Sequence, residues 1–338
     1  MINRSELNTE KQNEKSHNID LMSIEDILLT INKEDESVSR AVKDAIPSIK
    51  KAIDLTLNSI SSGGRIFYIG AGTSGRLGVL DASEIPPTFS VEQNIFIGLI
   101  AGGDQALRKS IEGAEDNVNS ILDELGFYNI NKNDTIVGIS CSGAAAYVVS
   151  GLKYARENSA KTIYLVTNPV PYYMTDVDVV IHVDTGAEIV TGSTRMKAGT
   201  ATKMVLNMIS TTTMIKLGKV YSNLMVDLKA VNQKLIDRGT RIISQITKKD
   251  YKKSEKILYT AKLSVKTAIV MDFLDYDGDE IYFLAVNKLI GKSFKQAMLL
   301  LSEVTLIGIK VKNGKVILNP DKEYIILKDD LLVVIAED

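Results

Sequence analysis

The stretch Tyr68-Ile69-Gly70-Ala71-Gly72-Thr73-Ser74-Gly75-Arg76 places two hydroxyls in a glycine loop directly after an apolar run. The chemistry of such a loop is anion binding. Glycines let the backbone approach a ligand, amide N–H groups at the start of a following helix point at it, and Thr73 and Ser74 add side-chain donors. Beyond Arg76, Glu84 stands in Asp81-Ala82-Ser83-Glu84-Ile85-Pro86-Pro87. At the far end of a short helix its carboxylate would reach a small molecule whose phosphate is held at the near end. The pattern predicts an enzyme or sensor for a small phosphorylated metabolite. The spacing Gly70-x-Gly72-x-x-Gly75 also fits a dinucleotide loop, which needs an acidic residue at the end of the next strand, about 20 residues on. That strand ends in Ala101-Gly102-Gly103, with Asp104 too late, so the dinucleotide is rejected.

These residues need a frame, and the apolar pattern supplies one. Continuous apolar runs recur at 66–69, 95–101, 135–140, 162–166 and 179–183, with segments of helical period between most of them, such as 105–125 and 144–157. A helical stretch over 24–62 precedes them, and another over 199–217 follows. Alternation of this kind predicts a parallel sheet covered on both faces, with ligands beyond the carboxyl ends of its strands. Gly70 onward, Gly102-Gly103, Ser140 to Gly143 and Asn168-Pro169 all fall at such ends. Met196, Met204, Met208 and Met214 lie in or just before the last helix and read as core or dimer interface.

Composition narrows the function classes. Forty basic against 42 acidic residues give a net charge of −2, which removes any electrostatic case for nucleic acid or an anionic membrane. Cys141 is the only cysteine, which rules out an internal disulfide and fits a reducing cytoplasm. No signal-type segment opens the chain, and no apolar run approaches the ~20 residues of a membrane helix. With only His17 and His182 beside one cysteine, no catalytic metal is expected. Residues 1–20 read as a flexible polar arm. A charged run at 248–253 begins a helical linker over 248–278. From 279 the texture becomes strand–helix–strand–strand, with a hairpin signal at Asn313-Gly314, so 279–338 reads as a separate small α+β module.

The longest strings resemble those of the N-acetylmuramic acid 6-phosphate etherases, proteins of sugar-isomerase (SIS) type related to the glucokinase regulatory protein. They are 70–78 with Asp81-Ala82-Ser83-Glu84, Ala101-Gly102-Gly103, Glu112-Gly113-Ala114-Glu115-Asp116, Gly186-Ala187-Glu188 with 191–200, and Asn223-Leu224-Met225-Val226-Asp227. The resemblance covers residues ~20–272. It implies a three-layer αβα sandwich around a five-stranded parallel sheet over 21–247, a homodimer with sites near its interface, and a cytoplasmic enzyme of cell-wall sugar recycling without metal or cofactor. The implied reaction eliminates the lactyl ether and adds water, giving N-acetylglucosamine 6-phosphate and D-lactate. By position, Glu84 matches the proton donor to the leaving lactate and Glu115 the base at C2. Gly72, Thr73, Ser74, Ser142 and Gly143 match the phosphate site.

Two departures stand out. Where the family reads Ala-Ser-Gly-Arg-Thr-Pro-Tyr-Val, this chain reads Cys141-Ser142-Gly143-Ala144-Ala145-Ala146-Tyr147-Val148, without the Thr hydroxyl and the Arg charge. That loss favours a non-catalytic sugar-phosphate-binding regulator as the alternative, while Glu84 with Glu115 favours the etherase over both that reading and a sugar-phosphate isomerase. The second departure is 279–338, which resembles the C-terminal RCK-type modules of Castor/Pollux-like proteins and implies dimerisation or small-ligand binding. Gly291-Lys292-Ser293 is not a phosphate loop, because Val286 stands where that motif needs glycine.

Overall fold

Every apolar run of the first half becomes a strand in the computed structural model, which describes residues 4–273, 279–285, 287–301, 304–312 and 314–337. The strands are β1 (Ile66–Gly70), β2 (Phe96–Ile100), β3 (Thr135–Ile139), β4 (Lys161–Val166) and β5 (Val179–His182). They form one sheet of order β2-β1-β3-β4-β5, parallel at every junction. Because side chains alternate along a strand, Ile66 and Tyr68 enter one core while Phe67 and Ile69 enter the other. Apolar residues on both faces are why these strands read as continuous runs.

The helices of this unit (Met1–Leu228) are α1 (Ile24–Asp44), α2 (Ile46–Ser61), α3 (Gly72–Phe89), α4 (Gln105–Arg108), α5 (Val118–Phe127), α6 (Ala146–Glu157) and α7 (Lys197–Lys216). Residues of α1, α2, α3 and α7 fill one core and those of α5 and α6 the other, which makes three layers. Pro47 in the first turn of α2 fits a helix start and not a helix interior, and it divides the helical stretch of 24–62 at Ala45. The expected helix over 105–125 is also divided. Gly113 takes φ +70°, a 3₁₀ turn covers Ala114–Asp116, and the Asn117 side chain accepts from the amides of Asn119 and Ser120 to start α5 afresh.

The polar arm has a defined course. Residues 4–21 carry four 3₁₀ turns, and Leu7 and Thr9 are buried. Asn8 Nδ2 donates to Asp184 Oδ1 (3.0 Å), Asn168 Nδ2 donates to Thr9 Oγ1 (3.0 Å), and Ser16 Oγ donates to the Ile189 carbonyl (2.7 Å). The arm therefore runs over the carboxyl ends of β4 and β5.

The second unit, Lys229–Asp338, starts with α8 (Gln233–Thr247), α9 (Tyr251–Thr260) and α10 (Val265–Phe273). There follow β6 (Asp279–Leu284), α11 (Phe294–Leu300), β7 (Thr305–Lys310), β8 (Val316–Leu318) and β9 (Leu331–Glu337), in an antiparallel sheet of order β6-β9-β7-β8. Phe294, Leu306, Ile309 and Val334 centre its core, and Ser293 with Gln296 forms a reciprocal cap on α11. Asn313 of the expected hairpin turn lies outside the described residues, while β7 and β8 pair on either side of it. Among the described residues no helix is long and apolar enough to cross a membrane.

Candidate active site

The chain leaves β1 for β2 on one side of the sheet, whereas β3, on the other side of β1, leads to β4 and β5. That reversal opens a crevice beyond the carboxyl ends of β1 and β3, the place where such sheets bind ligands. The loop after β1 enters α3 without a spacer. A Cβ on Gly70 would stand 2.7 Å from the Gly75 nitrogen, and one on Gly75 would stand 2.6 Å from the Gly70 oxygen, so only glycines permit this turn. Gly72 opens α3 with φ +54°, and the cap residue Ala71 supplies no side-chain acceptor to the first turn. The amides there are left for a ligand.

The loop after β3 forms the facing wall. Ser74, almost buried, sets its Oγ 3.5 Å from Cys141 Sγ, which joins the two loops. Gly143 has φ +74° and lies against Pro171, where a Cβ would come within 2.4 Å. The Gly143 carbonyl accepts from Tyr164 Oη (3.1 Å) and from the Tyr173 amide (3.0 Å), so the loop is fixed although three alanines follow it. Ser142 Oγ accepts from the Ala144 amide at 3.3 Å. Ala145, the cap residue of α6, offers no side-chain bond. Burial pushes the Cys141 thiol up, which makes it a poor nucleophile.

The start of α7 makes a third side. Thr73 Cγ2 lies 3.5 Å from where a Cβ of Gly199 would sit. Glu188, fully buried, accepts from the amides of Lys197 (3.0 Å) and Ala198 (2.9 Å) and so caps α7; its burial raises the carboxyl despite those bonds. Lys197 Nζ in turn pairs with Glu34 Oε2 at 2.7 Å.

The two candidate catalytic carboxylates are not equally placed. Glu115 lies in the 3₁₀ turn before α5, exposed, and lines a cavity of about 280 Å³ together with Gly72, Arg76, Ala101 and Ser110. Arg76 holds that wall by donating to the carbonyls of Leu107 and Lys109, both at 3.3 Å. Glu84 is elsewhere. The helix α3 continues through Pro86 and Pro87 to Phe89 and is 18 residues long. Twelve steps of helix separate Glu84 from Gly72, a rise of about 18 Å. Glu84 is exposed and lines a second cleft of about 180 Å³ with Asp81, Lys203 and Asn207.

Gly72 and Glu115 thus line one cavity, Ser74 of the same loop meets Cys141 next to Ser142 and Gly143, and Glu84 lines a separate cleft. Arg76, Asp81, Glu188, Lys203 and Asn207 were not singled out from the sequence. The place of Arg76 at the end of the glycine string and that of Asp81 one turn before Glu84 are signals that could have found two of them. Lys203 and Asn207 reach the Glu84 cleft from a helix more than a hundred residues away, and no local pattern marks them.

Residues 48–156 match the family model of the glucokinase regulatory protein N-terminal SIS domain. Residues 254–338 match that of Castor and Pollux, part of voltage-gated ion channel. The chain is 48% identical over 274 residues to the N-acetylmuramic acid 6-phosphate etherase of Oceanobacillus iheyensis, covering 81% of this chain and 93% of that protein. It is 52% identical over 251 residues to the N-acetylmuramic acid 6-phosphate etherase of Bacteroides thetaiotaomicron, covering 74% and 90%. A phosphoheptose isomerase structure from Neisseria gonorrhoeae aligns with a TM-score of 0.42 and 17% identity, over 56% of this chain and 99% of that one. With nearly half of its residues identical over four-fifths of its length, the chain belongs to the N-acetylmuramic acid 6-phosphate etherase family.

Proposed function

We propose that this protein cleaves the lactyl ether of N-acetylmuramic acid 6-phosphate, giving N-acetylglucosamine 6-phosphate and D-lactate in the cytoplasm. The observation that carries the reading is the 48% identity to a curated etherase across 93% of that protein's length. The crevice has the parts the chemistry needs. Free amides at the start of α3, with the hydroxyls of Thr73, Ser74 and Ser142, suit the 6-phosphate. Glu115 takes the C2 proton of the open-chain sugar. The C3–O bond breaks as the lactate oxygen receives a proton from Glu84, which leaves a C2–C3 double bond conjugated to the aldehyde. Water then adds at C3, so atoms balance and no redox partner is required.

The distance along α3 supports one further element. Glu84, twelve helical steps from Gly72, would serve a sugar held by a second copy of the chain. The homodimer and shared site are therefore one proposal. Support comes from Leu21, Ile24 and Leu28, which leave an apolar stripe exposed at and just before the start of α1, as a subunit contact would use. The alanines at 144–146 favour a second reading, a regulator that binds sugar phosphates without cleaving them.

D-lactate release tests both. The parent should release it, and Glu84→Gln and Glu115→Gln should each abolish release. Coexpression of the two variants should restore roughly a quarter of parental activity, because half the dimers are mixed and each mixed dimer holds one site with neither change. No restoration would refute the shared site, and no release by a well-folded parent would leave the regulator.

A further inference from the structure

The cleft that holds Glu84 contains a cation that the proposed reaction has not yet used. Lys203 projects from α7 opposite α3, and it is the sole basic side chain lining the cleft beside Asp81, Glu84 and Asn207. It is exposed, and among the described residues no carboxylate comes within 4 Å of its Nζ. With the Asn207 amide turned so that both of its ends are satisfied, its oxygen accepts from Lys203 Nζ at 2.8 Å and its nitrogen donates to Asp81 Oδ1 at 3.1 Å. Ser210 Oγ donates to the same Asp81 oxygen at 3.2 Å. Burial raises the Asp81 carboxyl, against the bonds from Ser210 and Tyr68 and the charge of Lys203, which lower it.

The etherase reading, on which this inference rests, puts the bridging oxygen of the lactyl ether against Glu84. In that ether the carbon bonded to the oxygen also carries the carboxylate. Any group within hydrogen-bond reach of the oxygen therefore has the carboxylate beside it. Once Glu84 has given its proton to the departing oxygen, two anions face each other in one cleft, and a positioned cation is needed to hold the lactyl end in place. We propose that Lys203 binds the lactyl carboxylate and so selects sugar phosphates that carry an acidic ether at C3. N-Acetylglucosamine 6-phosphate, which lacks the lactyl group, gains nothing from this lysine.

The test compares three compounds on the full-length parent, Lys203→Met and Lys203→Arg. They are N-acetylmuramic acid 6-phosphate, its lactamide analogue with the carboxylate replaced by a carboxamide, and N-acetylglucosamine 6-phosphate as a competitor. The parent should prefer the acid over the amide by about 10- to 100-fold in kcat/KM and in calorimetric affinity, the size expected for one charge-assisted hydrogen bond. Lys203→Met should lose that preference through KM and bind N-acetylglucosamine 6-phosphate as the parent does. Lys203→Arg should recover part of it. Thermal midpoints should agree, because the side chain is exposed. A Met variant that still prefers the acid as the parent does would overturn the proposal. So would equal weakening toward all three compounds, which would assign the lysine to the phosphate or the fold. If the parent binds the acid but releases no lactate, the etherase reading fails, and the calorimetric preference still decides the role of Lys203.

Discussion

Glu34→Gln tests how the crevice is held together. The Glu34 carboxylate is 4% exposed and accepts from Lys197 Nζ and Asn13 Nδ2 at Oε2 and from Lys15 Nζ at Oε1, each at 2.7 Å. Lys197 is 2% exposed, and its own amide is one of the two bound by Glu188. Burial by itself would raise the Glu34 carboxyl, but the three donors outweigh burial and lower it from 4.5 to about 2. At 1.36 kcal/mol per pKa unit this amounts to about 3 kcal/mol of stability at neutral pH. The sign follows from a folded-state pKa below the unfolded one. The contribution is complete above pH 4.5 and disappears as the pH falls toward about 2. Glutamine keeps the shape of the side chain but leaves buried Lys197 without this partner, a change that costs about 3–5 kcal/mol. Urea unfolding of the parent, Glu34→Gln, Lys197→Met and the double variant, at pH 7 and at several values down to pH 2.5, reads the effect. The gap between parent and Glu34→Gln should narrow through the acid range, and the double variant should lose less than the sum of the singles. A Glu34→Gln protein within about 0.5 kcal/mol of the parent at pH 7, or a gap independent of pH, would refute the reasoning.

Ala145→Ser should supply the cap that α6 lacks, since Ala145 has extended backbone (φ −74°, ψ 107°) and no side-chain bond to the first turn. The expected gain of about 0.5–2 kcal/mol corresponds to a rise in Tm of roughly 1–3 °C by calorimetry, with tighter binding of inorganic phosphate in titration, and an unchanged or lower Tm would count against it. Cys141, with its thiol pushed up by burial, should react with a disulfide reagent at pH 8 at a rate set by opening of the protein and independent of reagent concentration. Prompt stoichiometric labelling of the native protein would contradict that.

What was legible in the sequence follows from how locally each feature is encoded. The five strands read directly, because a sheet covered on both faces demands unbroken apolar runs, and each run is complete within a few residues. The glycine loop was equally plain, since Gly70 and Gly75 answer to a close contact between near neighbours. The length of α3 was not. Pro86 and Pro87 point to an end soon after Glu84, yet α3 continues through both and ends five residues beyond Glu84, at Phe89. The polarity of residues 1–20 reads as a flexible arm; the partners of Asn8 and Thr9 lie more than 150 residues off, and no window of composition sees them. For the same reason nothing in the sequence links Glu34 to Lys197 or Glu84 to Lys203, whose meaning comes from helices packed side by side.

The strapped arm also sets an order of events during synthesis. Asn8 and Thr9 are made well before Asp184 and Asn168 and must wait for them, as Glu34 must wait for Lys197. At ribosomal speeds of about 5–20 residues per second this delay is roughly 10–40 s. During that time the strands between can pair while the arm stays in solvent, so the arm docks after the strands that follow it. A nascent or truncated chain that stops before Lys197 holds the glycine loop but cannot close the strap behind it. Such a product would offer a sugar phosphate an unsupported crevice, and a protease an unprotected arm.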